Sequence, residues 1–182
     1  MTDTTFIFPS SKFERLVSNN RRQPDGSLLQ VPRSGPPAPP KEYNGGGGLF
    51  STAGDYIKFT QMMLRHGTRQ SSNSIGQILS GKTVSNLMMT NQTGNVQAGI
   101  LKTSNPAISS DMDAHPGFSD RYSLGFLLNP EAHPGGRSAG SLAWAGINNT
   151  FYWIDPPRDR CAVIMMQFLP FVDKEAVGLL ND

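Results

Sequence analysis

Tyr43-Asn-Gly-Gly-Gly-Gly-Leu-Phe-Ser-Thr-Ala-Gly-Asp-Tyr-Ile-Lys-Phe-Thr-Gln-Met-Met-Leu-Arg-His-Gly67 is the stretch that decides the fold. Its second half is a capped amphipathic helix. Ser51 or Thr52 offers the N-cap oxygen, and Asp55 sits near the positive end of the helix dipole. Leu49, Ala53, Tyr56, Ile57, Thr60, Met63 and Leu64 recur at helical spacing, and Gly67 supplies the stop. The glycines at 45–48 admit three readings: a phosphate cradle, a hinge or a tight turn. A P-loop needs Gly-Lys-Ser/Thr after the glycines, but Leu49-Phe50 follow here. The G-x-G-x-x-G context of strand, helix and downstream acid is absent as well. A tight turn delivering the chain into a packed helix is therefore expected.

The rest of the composition narrows the function classes. The chain has 182 residues, which fits one domain. With 37% hydrophobic residues, 19 Gly and 14 Pro, it is loop-rich. Sixteen basic and 14 acidic residues leave a formal charge of +2, and no basic cluster exceeds Arg21-Arg22. No nucleic-acid surface is expected from that pattern, and no apolar run reaches membrane-span length. The single cysteine, Cys161, excludes an internal disulfide and a cysteine-based zinc site. It lies in an apolar run and reads as a buried, inert thiol. Residues 1–9 lack the features of a signal peptide. Localisation is thus unassigned, cytoplasmic if the chain is complete as given.

Segment by segment, the order is helices first, then strands, then a helix. Residues 1–9 look extended, and Ser10 or Ser11 caps a short helix to Val17. Residues 18–41 form a proline-rich loop, with Pro24-Asp25-Gly26 as a turn and 36–40 as a polyproline stretch. Residues 49–92 are the helical part: the Gly67-stopped helix, a polar loop, and a second helix from Ser80 to about Thr90. After turn-rich residues 91–120, four strands are expected at 122–128, 141–145, 149–154 and 162–168. Asp155 to Arg160 reads as a hairpin connection. Asp173 caps a terminal helix. Such segregation argues for α+β, with layers on both faces of an antiparallel sheet.

Few motifs carry chemistry on their own. Gly136-Arg-Ser-Ala-Gly140 matches G-x-S-x-G, but a nucleophile elbow needs a preceding strand, a following helix and a later histidine. All three histidines, His66, His115 and His133, lie upstream, so a glycine-rich turn entering a strand is expected instead. Those histidines neighbour turns at spacings that make no metal pair, and are expected as solvated loop residues. At Trp144-Ala145-Gly146 small residues leave a strand's backbone open to a ligand, while Trp144 can wall a pocket or simply pack in the core.

Together, the glycine run with its helix, Tyr122-Ser-Leu-Gly-Phe126, Trp144-Ala-Gly146 and Thr150-Phe-Tyr-Trp-Ile-Asp-Pro156 resemble the penicillin-recognising serine hydrolases. These are class C β-lactamases, D-alanyl-D-alanine carboxypeptidases and related esterases and acyltransferases. Ile78-Leu79-Ser80 and Met1-Thr-Asp-Thr-Thr-Phe6 resemble further segments of that family. The resemblance implies a partial β-lactamase/transpeptidase-like fold, with residues 1–182 as the C-terminal portion of such a domain. It also implies serine acyl-enzyme chemistry without a cofactor or metal, on a small-molecule ester or amide substrate.

Two of the family's three motifs are missing. No Ser-x-x-Lys occurs in the chain, nor any Tyr-x-Asn, and Ser18-Asn-Asn20 falls on the wrong side of Met1-to-Phe6. No catalytic residue is therefore assigned. The third motif has a counterpart in Trp144-Ala145-Gly146, where Trp replaces Lys, and by position the N–H of Ile147 would be an oxyanion donor. Trp144, Ala145, Gly146 and Ile147 are the expected substrate-binding residues. Without the preceding strands, the edge at 162–168 is expected to be open, with poor stability and possible self-association. A non-catalytic relative that binds a ligand or partner is the alternative.

Overall fold

The computed structural model describes residues 1–71 and 74–181, with their side chains except at 71 and 179–181. A 3-10 turn, Ser10–Arg15, is followed by a hairpin of β1 (Asn20–Arg22) and β2 (Leu28–Gln30). Then come α1 (Ala53–Leu64), a hairpin of β3 (Thr68–Ser71) and β4 (Ser74–Gln77), and α2 (Gly81–Thr83), which widens into a π turn at Val84–Met88. The strands β5 (Arg121–Tyr122), β6 (Leu127–Asn129), β7 (Ser141–Gly146), β8 (Thr150–Asp155) and β9 (Arg160–Ile164) follow. Last are β10 (Phe168–Leu169) and α3 (Lys174–Asn181).

The central sheet has the order β5-β6-β7-β8-β9 and is antiparallel throughout. Its strands are covered on both faces, as their apolar runs require. On one face Leu128, Leu142 and Ile154 meet Met62, Met63 and Val84 from α1 and the π turn. On the other, Phe151 packs with Phe168 and with Ala176 and Val177 of α3. The alternation of Phe151 and Ile154 between faces is the period-2 pattern of a strand. Each such fully buried side chain contributes roughly 1.5–3 kcal/mol.

Helix α1 begins where its cap dictates: the Thr52 hydroxyl accepts the N–H of Asp55 at 3.2 Å. It ends in a left-handed turn at Gly67, φ +86°. A Cβ there would also lie 2.3 Å from the carbonyl oxygen of Leu79, so Gly67 is required twice over. The glycine run is a turn leading into the packed helix, as expected. Gly45 and Gly47 are exposed, a Cβ at either would meet nothing within 4 Å, and only Gly48 has a positive φ, +88°. The turn itself is open.

Four expectations change. The loop at 18–41 contains the β1–β2 hairpin, closed at Gly26 (φ +85°) with the Asp25 carboxylate accepting the N–H of Ser27. Its strand β1 also runs parallel to β10, so pairing with the far end of the chain stabilises a segment with no strand pattern of its own. The polar loop after α1 is the β3–β4 hairpin, mostly polar but with Ile75 exposed on β4. The single strand expected at 122–128 is two, β5 and β6, because Gly125 (φ +99°) turns the chain between them. The strand at 162–168 stops at Ile164, and Phe168 joins the other sheet.

Candidate functional site

Strand β7 positions the expected site. Its first half, Ser141 to Ala143, pairs with β6, but β6 pairs no further than Ala143. Trp144, Ala145 and Gly146 therefore pair with β8 alone and present a free edge on the β6 side. Ile147 opens the β7–β8 turn, is 49% exposed, and its N–H has no acceptor among the described residues. The structure thus brings Trp144, Ala145, Gly146 and Ile147 together as one strand end.

The turn below is held from inside the protein. Asn149 adopts φ +58°, a conformation Asn tolerates, and is fully buried. Its amide donates to the carbonyls of Phe168 (2.9 Å) and Pro170 (2.8 Å), and its oxygen accepts the N–H of Asp173. One side chain thereby ties the β7–β8 turn to β10 and to the start of α3.

Beside the free edge lies a groove that opens to solvent. Met112, Leu127, Trp144, Ala145, Phe151 and Val177 make its lining mostly apolar, and Asp113, His115 and Arg137 are its polar members. Trp144 stands edge-on to Tyr122, with ring centroids 5.8 Å apart. On the α1 face, Tyr152 packs on Tyr56 at 5.1 Å. Burial first, and then the Tyr56 phenol, push the pKa of Tyr152 far up. Burial and then Asp120 raise that of Tyr122. Both phenols therefore stay protonated near neutral pH and act as donors, not as bases.

The histidines are where sequence reasoning failed most. His115 is not solvated; it is 2% exposed. Its Nδ1 lies 2.6 Å from Oδ2 of Asp120, and its Nε2 meets Nη2 of Arg137. Arginine only donates, so Nε2 accepts and Nδ1 carries the proton given to Asp120. The result is a buried relay, Arg137 to His115 to Asp120, at the groove's inner wall. His133 packs on His115 (4.5 Å between centroids) and on Phe118 (4.0 Å). Burial, then His115 and Arg137, lower the His133 pKa. Only His66 behaves as expected, exposed and bonded to Ser85. The signal that was available is the repeated His-Pro-Gly at 115–117 and 133–135, two similar turns whose rings pack against each other at a tilt.

Gly136-Arg-Ser-Ala-Gly140 forms a turn into β7, as expected, and the N–H of Ser138 donates to the buried carboxylate of Asp155. Cys161 is half-buried against the α1 core. Among the described residues no group of histidine, cysteine and acidic side chains is arranged to hold a metal ion, and no helix is long and apolar enough to cross a membrane.

Comparisons with known proteins bear on the family and the fold. A family model described as Beta-lactamase matches residues 1–180. An uncharacterized protein MT1414 and protein Rv1367c, from two strains of Mycobacterium tuberculosis, are each 29% identical over 185 residues. That match covers 98% of this chain and 42% of each relative. Among solved structures, the LovD6 mutant of simvastatin synthase from Aspergillus terreus superimposes with a TM-score of 0.75 at 22% identity, over 99% of this chain and 45% of that one. The unliganded enzyme gives 0.70 at 22% identity, over 99% and 43%. At such identity the likeness is one of fold. The chain spans less than half the length of the relatives it matches.

Proposed function

Since the chain belongs to the β-lactamase family, we propose that it carries one wall of an acyl-transfer site whose nucleophile lies in a polypeptide half outside these 182 residues. In the whole protein the reaction is acyl-enzyme formation, followed by hydrolysis or transfer of the acyl group. Trp144, Ala145 and Gly146 border the substrate along the free edge of β7. The N–H of Ile147 donates to the oxyanion of the tetrahedral intermediate, with the nucleophile's own N–H as second donor. The observation that carries this reading is that β7 outruns β6 by three residues and leads into Ile147, an exposed residue whose N–H has no acceptor among the described residues.

The replacement of Lys by Trp at 144 disfavours carboxylate-bearing β-lactams and favours neutral esters. Alone, the chain lacks Ser-x-x-Lys and Tyr-x-Asn, and the raised phenol pKa values supply no substitute base. Incubated with a nitrophenyl ester or with nitrocefin, the 182-residue chain should show no turnover. Extended with the half that carries both motifs, it should hydrolyse the ester. In that protein Ile147→Pro, which removes the N–H, should lower kcat about 10²–10³-fold. Trp144→Ala should act mainly on KM. Steady turnover by the short chain, or an unchanged kcat in a folded Ile147→Pro variant, would refute the assignment.

A further inference from the structure

We propose that residues 36–41 are a docking strap for an SH3-type polyproline-binding domain. The sequence Arg33-Ser-Gly-Pro-Pro-Ala-Pro-Pro-Lys-Glu-Tyr43 is pinned at both ends. Arg33 Nη1 donates to the carbonyls of Phe13 (3.1 Å) and Leu16 (2.6 Å), and its guanidinium lies 4.8 Å from the Phe13 ring centre. Tyr43 packs on Phe6 at 5.3 Å. Between these anchors Pro36, Ala38, Pro39, Pro40, Lys41 and Glu42 are all exposed. No hydrogen bond or ion pair is made by residues 36–42 among the described residues.

Each proline holds φ near −65°, and the residue before a proline is pushed to extended backbone. Four prolines in five positions therefore favour a polyproline II conformation, which has no internal hydrogen bonds and three residues to the turn. That period puts Pro36 and Pro39 on one edge, available to the aromatic-lined grooves of such a domain. Lys41, two positions further, offers a cation to an acidic pocket at the groove's end. The order Pro36-x-x-Pro39-x-Lys41 fixes the direction of binding. Arg33 would serve the opposite direction, but it is engaged with Phe13. Because the strap is stretched before it binds, little backbone entropy is lost on docking. None of its residues belongs to the acyl-transfer site, so the partner would recruit the protein and not alter its chemistry.

An array of purified SH3 and WW domains probed with the 182-residue chain tests this, followed by calorimetric titration of the tightest domain. Saturable binding to an SH3 domain is expected. Pro36→Ala with Pro39→Ala should weaken it by at least ~10-fold, and Lys41→Glu by a similar factor, while Arg33→Ala leaves it unchanged. Lys41 is exposed and unpaired, so Lys41→Glu reads recognition without disturbing the fold. Absence of saturable binding, binding only to WW domains, or binding that survives the double proline variant would overturn the proposal. So would loss of binding in Arg33→Ala with retention in Lys41→Glu.

Discussion

At the scale of single residues, the glycines separate cleanly by what surrounds them. Gly67→Ala places a Cβ 2.3 Å from the Leu79 carbonyl oxygen in a left-handed conformation. The loss should be about 2–4 kcal/mol, read as a lower midpoint in urea unfolding. Gly47→Ala meets nothing and should stay within about 0.5 kcal/mol of the parent. Gly67 was legible in the sequence because a C-terminal stop is a local signal. The openness of the glycines at 45–48 was not, since packing depends on what the rest of the chain brings near. His133 makes the same point through pH. Its pKa is lowered in the folded state, by burial first and then by His115 and Arg137, with Asp120 opposing. The unfolded chain therefore binds the proton more readily, and stability is full above the unfolded value of about 6.5 and falls as pH drops toward the folded value. Urea midpoints between pH 7 and pH 5 should decline in the parent and decline less in His133→Gln; equal slopes would show that His133 is not the group responsible.

At the scale of elements, α1 and the β8–β9 hairpin were readable because their determinants are adjacent in sequence: Thr52 and Gly67 for the helix, Asp155-Pro156-Pro157 for the turn. The sheet of β1, β2 and β10 was not, because its pairing joins Asn20 to Phe168. That sheet is tied to the start of α3 by the ion pairs of Arg22. Arg22 Nε donates to Asp173 at 2.8 Å, the guanidinium carbon lies 5.3 Å from the Phe168 ring centre, and Nη2 reaches Glu175 at 3.0 Å. Asp173 also accepts the N–H groups of Glu175 and Ala176, capping the helix. Burial alone would raise its pKa, but Arg22 and these N–H donors outweigh burial and lower it. A lowered carboxylate pKa contributes stability above the unfolded value, about 3.9, and that contribution is lost as pH falls through the folded value. Below about pH 4 the hairpin and α3 should therefore loosen before the α1 core does. Hydrogen exchange should show earlier loss of protection in 20–30 and 174–181, and Arg22→Ala should produce the same pattern already at neutral pH. The relay at His115 belongs to this scale too. It links turns 22 residues apart in sequence, and no periodicity announces that His115 and Arg137 will share a hydrogen bond.

For the whole molecule the decisive feature is the outer edge of β9. Arg160 to Ile164 pair with β8 on one side and with no strand on the other among the described residues. Cys161, Ala162, Val163 and Ile164 are only half-buried there. An apolar strand with unpaired N–H and C=O groups is a template for another strand. The chain spans 42% of its curated relatives, and the resemblance to serine hydrolases implies that the remaining half places strands against this edge. The open edge and the absence of Ser-x-x-Lys both fit the proposal that a further half completes the site. The 182-residue chain alone should unfold over a broad, low-temperature range and show a concentration-dependent increase in size by light scattering. Val163→Lys, which puts a charge on the edge strand, should reduce that association without restoring a sharp transition. Extension by the preceding half should do both, burying β9 and yielding a cooperative monomer. A homo-oligomer that stays stable and inactive even in the extended protein would instead favour a non-catalytic, partner-binding member of the family. A sharp, high-temperature monomeric transition of the short chain would show that β9 needs no further strand, and the case for a missing half would then rest on the absent Ser-x-x-Lys alone.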